Sequence, residues 1–352
     1  MATRTPWLRP SAAWKEGASV AQEGTPVLGI TMGDPTGAGP EIIVKALFSD
    51  EVAGLCRAVV VGDAAVMRAA ARIVEIPAEI RAVSDIDEAM FRPGVIEVID
   101  LGNVDLETLV RGRVDPRGGK AAYACVERAT RLALAREIDA VVTAPLNKEA
   151  LNRAGYEYSG HTEILAHLCG ADEVVMMLVA GSLRIAHVTT HVSLREACDL
   201  VTKDRILRVL DLSNEAAQKM RVPEPRLVVA GLNPHAGEGG LFGSEEKEQI
   251  LPAIEAARRL GLNVTGPLPP DTAFLRASNG EFDAAIAMYH DQGHIPMKMV
   301  GFDRGVNVTL GLPITRTSVD HGTVFGKAGK GTARPQSMIE SIKLAALMCR
   351  HN

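Results

Sequence analysis

The sequence predicts an α/β fold built on a mostly parallel sheet. Three observations carry this. Apolar, β-branched runs of strand length recur along the chain. Segments of helical period separate many of them. Three of the runs stop at a histidine, and in open α/β sheets ligands gather beyond the carboxyl ends of strands.

In order, TPVLGITM is the first strand-like run, and the helix EIIVKALF follows it across a glycine-rich turn. RAVVVGD and GVIEVIDLG come next. The amphipathic segment GGKAAYACVERATRLALAREI then leads into DAVVTAP. S-G-H-T-E, residues 159–163, opens the helix EILAHL. EVVMMLVAG and LRIAHVTTH precede the helical KDRILRVLDLSNEAAQKM, and RLVVAGLN, DAAIAMYH and GVNVTLGL complete the set of strands. No repeat or low-complexity segment interrupts this alternation. A boundary near Pro145 and a chain return near residue 300 give a first α/β lobe of residues 26–145 plus 300–352. The second lobe spans 146–299. Residues 1–25 carry basic residues without a continuous apolar core, so they read as a disordered N-terminal extension rather than a signal peptide.

Composition narrows the function. The 352 residues are 47% hydrophobic and 23% charged, a globular balance with room for two domains. A net charge of −5 and 4% aromatic residues argue against a nucleic-acid partner. Five scattered cysteines without C-x-x-C spacing argue against a disulfide framework or a thiolate zinc site, and favour a reducing, cytoplasmic compartment. No apolar run reaches membrane-spanning length.

The histidines carry the chemistry. IAHVTT ends at His191, LVVAGLNP at His235 and AAIAMY at His290. Three neutral imidazoles suit zinc or a similar divalent ion and leave a coordination position for substrate. Isolated, hydrogen-bonded histidines are the bland alternative. His187 and His191 form an H-x-x-x-H pair, but the intervening Val-Thr-Thr favours a strand, and the helical zinc motif also needs a glutamate. His187 is therefore expected to face the sheet interior or a neighbour. His161 and Thr162, at a helix start, can offer donors to an anion, or Thr162 or Ser159 can simply cap the helix. Lys298, Asn307 and Arg316 form a set suited to phosphate or carboxylate.

Two glycine-rich stretches remain. GITMGDPTGAGPE, residues 29–41, lacks both the G-x-G-x-x-G order and a G-K-[ST] ending, and Pro35 and Pro40 remove amide donors. A tight turn and a close ligand approach are equally compatible with it. DHGTVFGKAGKGTA, residues 320–333, would let a flat cofactor approach the main chain.

TMGDPTGAGPEI, TAPLNKEAL, GHTEILAHL, GLNPHAGEGGLFGSEE, GPLPPDTAF, MYHDQGHIPMK and GVNVTLGLPITRTSVDHGT together resemble the 4-hydroxythreonine-4-phosphate dehydrogenase family, in order, from about residue 26 onward. More distantly, GDPTGAGPE and HGTVFGKAGKG resemble loops of isopropylmalate and isocitrate dehydrogenases. The resemblance implies a two-lobed α/β/α subunit with its active site in the inter-lobe cleft, working as a homodimer with shared active sites. It implies an NAD- or NADP-dependent β-decarboxylating dehydrogenase that needs a divalent metal: zinc, or magnesium, manganese or cobalt. By motif, His191, His235 and His290 match the metal ligands. His161, Thr162, Lys298, Asn307 and Arg316 match the groups that hold a small phosphorylated hydroxy acid. His321, Gly322 and Thr323 match a cofactor loop, and Lys148, Asp271 and Asp291 are the candidate acid–base groups. TAPLNKEAL and MYHDQGHIP with its following lysine are similar to the branch acting on 4-phospho-D-threonate or 4-phospho-D-erythronate, and the kept G-H-T segment and Arg316 set the chain apart from a third branch, which oxidises dihydrodiols of aromatic dicarboxylates. The branch acting on 4-hydroxy-L-threonine 4-phosphate in pyridoxal phosphate biosynthesis is the alternative, and a non-catalytic phospho-sugar-acid binding protein is the rival class.

Overall fold

The structure is a computed structural model, and it describes residues 24–350 apart from Phe302. The extension expected over residues 1–25 lies outside the described residues except for Gly24 and Thr25. In chain order the elements are β1 (Val27–Thr31), α1 (Gly39–Leu47), β2 (Arg57–Gly62), α2 (Ala64–Ile73), β3 (Glu79–Val83), β4 (Val95–Asp100), α3 (Pro116–Leu134), β5 (Ala140–Thr143), α4 (Lys148–Arg153) and α5 (His161–Cys169). There follow β6 (Val175–Ala180), β7 (Leu183–His187), α6 (Leu194–Leu200), α7 (Lys203–Lys219), β8 (Arg226–Ala230), α8 (Leu251–Arg259), β9 (Asn263–Leu268), α9 (Pro270–Ser278), β10 (Ala284–Ala287), α10 (His290–Gly301), β11 (Val306–Leu310), β12 (Thr315–Val319) and α11 (Gln336–Cys349).

The expected mostly parallel α/β architecture is the one found. The chain forms two compact units, one running to Gly170 and resuming at Pro313, the other spanning Ala171–Leu312. Both boundaries lie further along than the sequence pattern placed them. Helices α4 and α5 pack on α3, which keeps them in the first unit, and β11 pairs with β6, which keeps it in the second.

In the first unit the strand order is β3-β4-β2-β1-β5-β12, all parallel. Strands β1 and β5 are buried along their whole length, as parallel strands covered on both faces must be. Alternation along each strand splits the core in two. Leu28, Ile30, Val60, Val98 and Val142 pack with α1, α2 and α11. Val59, Val61, Ile99 and Val141 pack with Ala129 and Leu132 of α3. Asp63, Asp115 and Asn147 cap α2, α3 and α4 by accepting from free backbone N–H groups in the first turn.

In the second unit β7, β10, β8 and β9 are parallel, and β6 runs antiparallel to both β7 and β11. Ile185, Val228, Ala285 and Ala287 form its core with Ala273, Phe274 and Met297 of α9 and α10.

The geometry settles the first glycine-rich stretch as a packed turn. Gly33 has φ +73°, and a Cβ there would stand 2.6 Å from the Pro145 carbonyl oxygen. A Cβ at Gly37 would stand 2.7 Å from the Thr323 carbonyl oxygen, which accepts from Ala38 N–H. Gly33→Ala is expected to destabilise the protein by ~2–4 kcal/mol, through left-handed strain plus the clash. A urea midpoint unchanged from the parent would contradict this. The second stretch is tied to α1: the Glu41 carboxylate accepts from the Gly329 and Gly331 N–H groups, and Lys45 Nζ donates to the Ala333 carbonyl at 2.8 Å.

Candidate active site

Two groups of polar side chains stand out, one in each unit. In the first, Arg316 on β12 is buried, and its Nε and Nη2 donate to Thr143 Oγ1 at the end of β5, at 3.2 and 2.8 Å. Parallel pairing of β5 and β12 in register sets Arg316 beside Val141, within one turn of Thr143. Burial pushes the guanidinium down to about 9, and Glu163 of α5 opposes the shift. Helix α5 begins at His161 with Gly160 at its N-cap and no side-chain cap, so the capping role expected of Thr162 or Ser159 is not taken up. A backbone N–H terminus left without a side-chain acceptor favours an anion.

His161 Nε2 is buried without a hydrogen-bond partner. Burial holds the imidazole well below its usual range, and the charges of Arg316 and Lys148 add to this, while a hydrogen bond to the Ala144 backbone acts the other way. The ring is therefore neutral at pH 7. Lys148 is exposed at the start of α4, and its charge reaches His161. In this unit Arg316, Thr143, His161 and Lys148 thus combine two cations with a neutral imidazole near one helix terminus.

In the second unit, β7 ends at His187, not at His191, and β10 ends at Ala287, so His290 opens α10 instead of closing a strand. Backbone bonds run on past β7, from Val188 and Thr189 N–H to the Ala287 and Met288 carbonyls, and stop short of His191, while His290 begins a helical turn that Asp291 favours at its N-terminal end. The His191 and His290 rings stand 5.8 Å apart. His290 Nδ1–H donates to Asp291 Oδ1 at 2.7 Å, which fixes the tautomer and leaves Nε2 as the lone-pair nitrogen. His187 is fully buried, as expected, with Nδ1–H donating to the Met176 carbonyl. His294, which the sequence reading passed over, stacks on His290 at 3.6 Å and donates from Nδ1 to His187 Nε2 at 3.1 Å. Its i+4 spacing from His290 was the available signal, hidden because the stretch was read as the end of a strand.

His235 is exposed on a turn after β8, its ring 6.2 Å from Phe242. Among the described residues no group of three or more His, Cys, Asp or Glu side chains is gathered closely enough to hold a metal ion. The donor chemistry nevertheless fits a divalent cation at His191 and His290, with Asp291 orienting the second imidazole.

The remaining sequence-predicted residues are placed as follows. Lys298 is half-buried on α10, Asn307 half-buried on β11, and Asp271 exposed in the first turn of α9. His321 donates from Nδ1 to the Gly322 carbonyl, and Thr323 is buried. A Cβ at Gly322 would meet nothing within 4 Å, so the main chain there is open on that side.

Burial of His161 and His187 has a consequence for stability. His187 is pushed down to about 3, by burial first and by its histidine neighbours second. The unfolded chain protonates each ring near pH 6.5 while the folded chain does not. Stability is full above that pH and falls as pH drops below it, for His187 by ~1.4 kcal/mol per pH unit down to about pH 3. In His187→Asn the slope of unfolding free energy against pH between pH 6 and 4 should be smaller by one proton. An unchanged slope would contradict the buried, neutral assignment.

Among the described residues no helix is long and apolar enough to cross a membrane. Residues 54–345 match the family described as pyridoxal phosphate biosynthetic protein PdxA. The chain is 50% identical over 322 residues to a D-threonate 4-phosphate dehydrogenase of Cupriavidus necator, covering 91% of this chain and 96% of the relative. It is 48% identical over 321 residues to a protein of the same name from Salmonella typhimurium, covering 91% and 98%. The crystal structure of a 4-hydroxythreonine-4-phosphate dehydrogenase from Burkholderia phymatum superposes with a TM-score of 0.83 at 48% identity, covering 93% of this chain and 99% of that one. A match over most of the chain, with relatives near half-identical along their whole length, places this protein in the PdxA family.

Proposed function

We propose that this protein is a dehydrogenase that oxidises the 3-hydroxyl of 4-phospho-D-threonate or 4-phospho-D-erythronate, after which the 3-keto acid loses CO2. The observation that carries the reading is the anion-suited group of the first unit: buried Arg316 braced by Thr143, with His161 at the uncapped start of α5. A phosphate ester supplies the acceptors that a guanidinium and a helix N-terminus recognise. Two of the relatives are named for a substrate of this kind.

In this reading His161, Thr162 and Arg316 hold the phosphate, with Lys298 and Asn307 as further donors. His191, His235 and His290 hold a divalent cation, zinc first. When bound, that ion supplies a Lewis acid for the oxygen of the alcohol being oxidised. His321, Gly322 and Thr323 would hold NAD or NADP, which would supply the hydride acceptor for the carbinol carbon. Asp291 orients His290, since its carboxylate is already engaged there. That leaves Asp271 as a carboxylate, or Lys148 as a free amine and not as the ammonium, to accept the hydroxyl proton. Lys148→Ala and Asp271→Asn separate them: the variant that loses the acidic limb of the kcat pH profile, where protonation disables the base, identifies it.

The protein works as a homodimer in this reading. The second unit carries a run of exposed apolar side chains on α10, Ile295, Met299 and Val300, with Leu241 and Phe242 also exposed, and such surface marks an interaction site. Sedimentation of the parent should give a dimer, and Met299→Glu should shift it toward monomer. A monomeric parent would overturn this part.

The test of the whole reading compares D-threonate with its 4-phosphate. The ester should be oxidised at least 100-fold more efficiently, and equal rates would remove the phosphate assignment. A second reading, oxidation of 4-hydroxy-L-threonine 4-phosphate, is favoured by the name of the Burkholderia phymatum structure. It uses the same residues.

A further inference from the structure

The turn that carries His235 is built unlike the rest of the chain. Five consecutive residues are left-handed: His235 (φ 54°), Ala236 (53°), Gly237 (76°), Glu238 (43°) and Gly239 (66°). Three of the five have a Cβ, for which this region is disfavoured, so the run needs an external brace. Asn233 Nδ2 donates to Glu245 Oε2 at 2.7 Å, and the buried member of the brace is the carboxylate of Glu246. Its Oε1 accepts from Asn233 N–H at 2.8 Å and its Oε2 from Asn233 Nδ2 at 2.9 Å. The carboxylate is also wedged between the two glycines that flank His235. A Cβ at Gly231 would stand 3.1 Å from Oε1, and one at Gly237 only 2.7 Å from Oε2. Burying a carboxylate is costly unless it is hydrogen-bonded, and here the bonds all go to the residue that opens the turn.

We propose that Glu246 is a positioning residue: through Asn233 and the two glycines it fixes the left-handed turn and so sets where the His235 imidazole stands. The inference rests on the reading of His235 as a metal ligand. It adds that the site is completed by a carboxylate that does not touch the ion and acts on the backbone carrying the ligand. A Gln at this position keeps the acceptor for Asn233 N–H but sets an amide N–H2 against Asn233 Nδ2, donor against donor.

The test measures zinc affinity of the full-length apo-protein by competition with a chromophoric chelator, for the parent, Glu246→Gln, Asn233→Ala and His235→Ala, with apo melting temperatures alongside. Glu246→Gln should weaken zinc binding by roughly 10- to 100-fold, and Asn233→Ala by about 3- to 10-fold. The apo melting temperature of Asn233→Ala should move little, because Asn233 is only half-buried and its backbone N–H keeps its bond to Glu246, and a merely structural network would lower it without this selective loss. If Glu246→Gln fails to fold, Asn233→Ala carries the test. Parent-like zinc affinity in Glu246→Gln or, in that case, in Asn233→Ala, together with its loss in His235→Ala, would overturn the positioning role and leave the ligand reading standing. Parent-like affinity in His235→Ala would remove the ligand reading and this inference with it.

Discussion

Replacing His290 with alanine is expected to lower turnover by about 1,000-fold or more while the subunit stays folded. The reason is local. His290 is the first residue of α10, half-exposed, with Nδ1 committed to Asp291 and its ring 5.8 Å from that of His191. It forms no part of the apolar core, so truncation opens no large cavity. Its loss also frees one face of His294, which stacks on it. Circular dichroism and melting temperature would establish folding, and metal content would be measured on the same sample. Normal metal content and normal activity in His290→Ala would remove the histidine from the site. Asp291→Asn should have a smaller effect, since the amide still accepts a hydrogen bond from Nδ1–H.

Arg316→Ala should raise KM for the phosphorylated substrate by roughly 100-fold, corresponding to about 3 kcal/mol for a buried charged hydrogen-bonding group. Arg316→Lys should rescue little. The guanidinium meets Thr143 Oγ1 through two nitrogens, a fork that an ammonium lacks. The predicted signature is a loss confined to phosphorylated substrates. An equal loss for the ester and for a phosphate-free analogue would mean that Arg316 serves the fold instead. The depressed guanidinium still titrates well above neutrality, so the effect should hold from pH 6 to 8.

The alternation of apolar runs and helical segments was enough to read the parallel sheet, because strands buried on both faces leave nearly continuous hydrophobic signatures. The unit boundaries were not legible. Nothing in the TAPLNKEAL or GHTEILAHL stretches says that their helices pack on α3, since that choice is made by tertiary contact. The histidines show the same division. His191, His235 and His290 were singled out because each follows an apolar run, yet the spacing could not reveal that His290 opens a helix, that His294 lies one turn on, or that His235 rides a left-handed turn. Left-handed geometry at His235, Ala236 and Glu238 has no residue signature, because it is imposed by Asn233 and Glu246 from outside the run. Arg316 was singled out by its apolar neighbours, and it is buried. Its partner Thr143 was invisible until β5 and β12 were paired.

The central claim is tested most directly by following NADH or NADPH formation with purified protein. 4-Phospho-D-threonate, 4-phospho-D-erythronate and 4-hydroxy-L-threonine 4-phosphate would be offered side by side, with and without EDTA. The account predicts a preference for a D-acid phosphate, abolished by EDTA and restored by added zinc. Turnover of none of the three would contradict it and withdraw the phosphate assignment. Turnover untouched by EDTA would remove the metal from His191, His235 and His290.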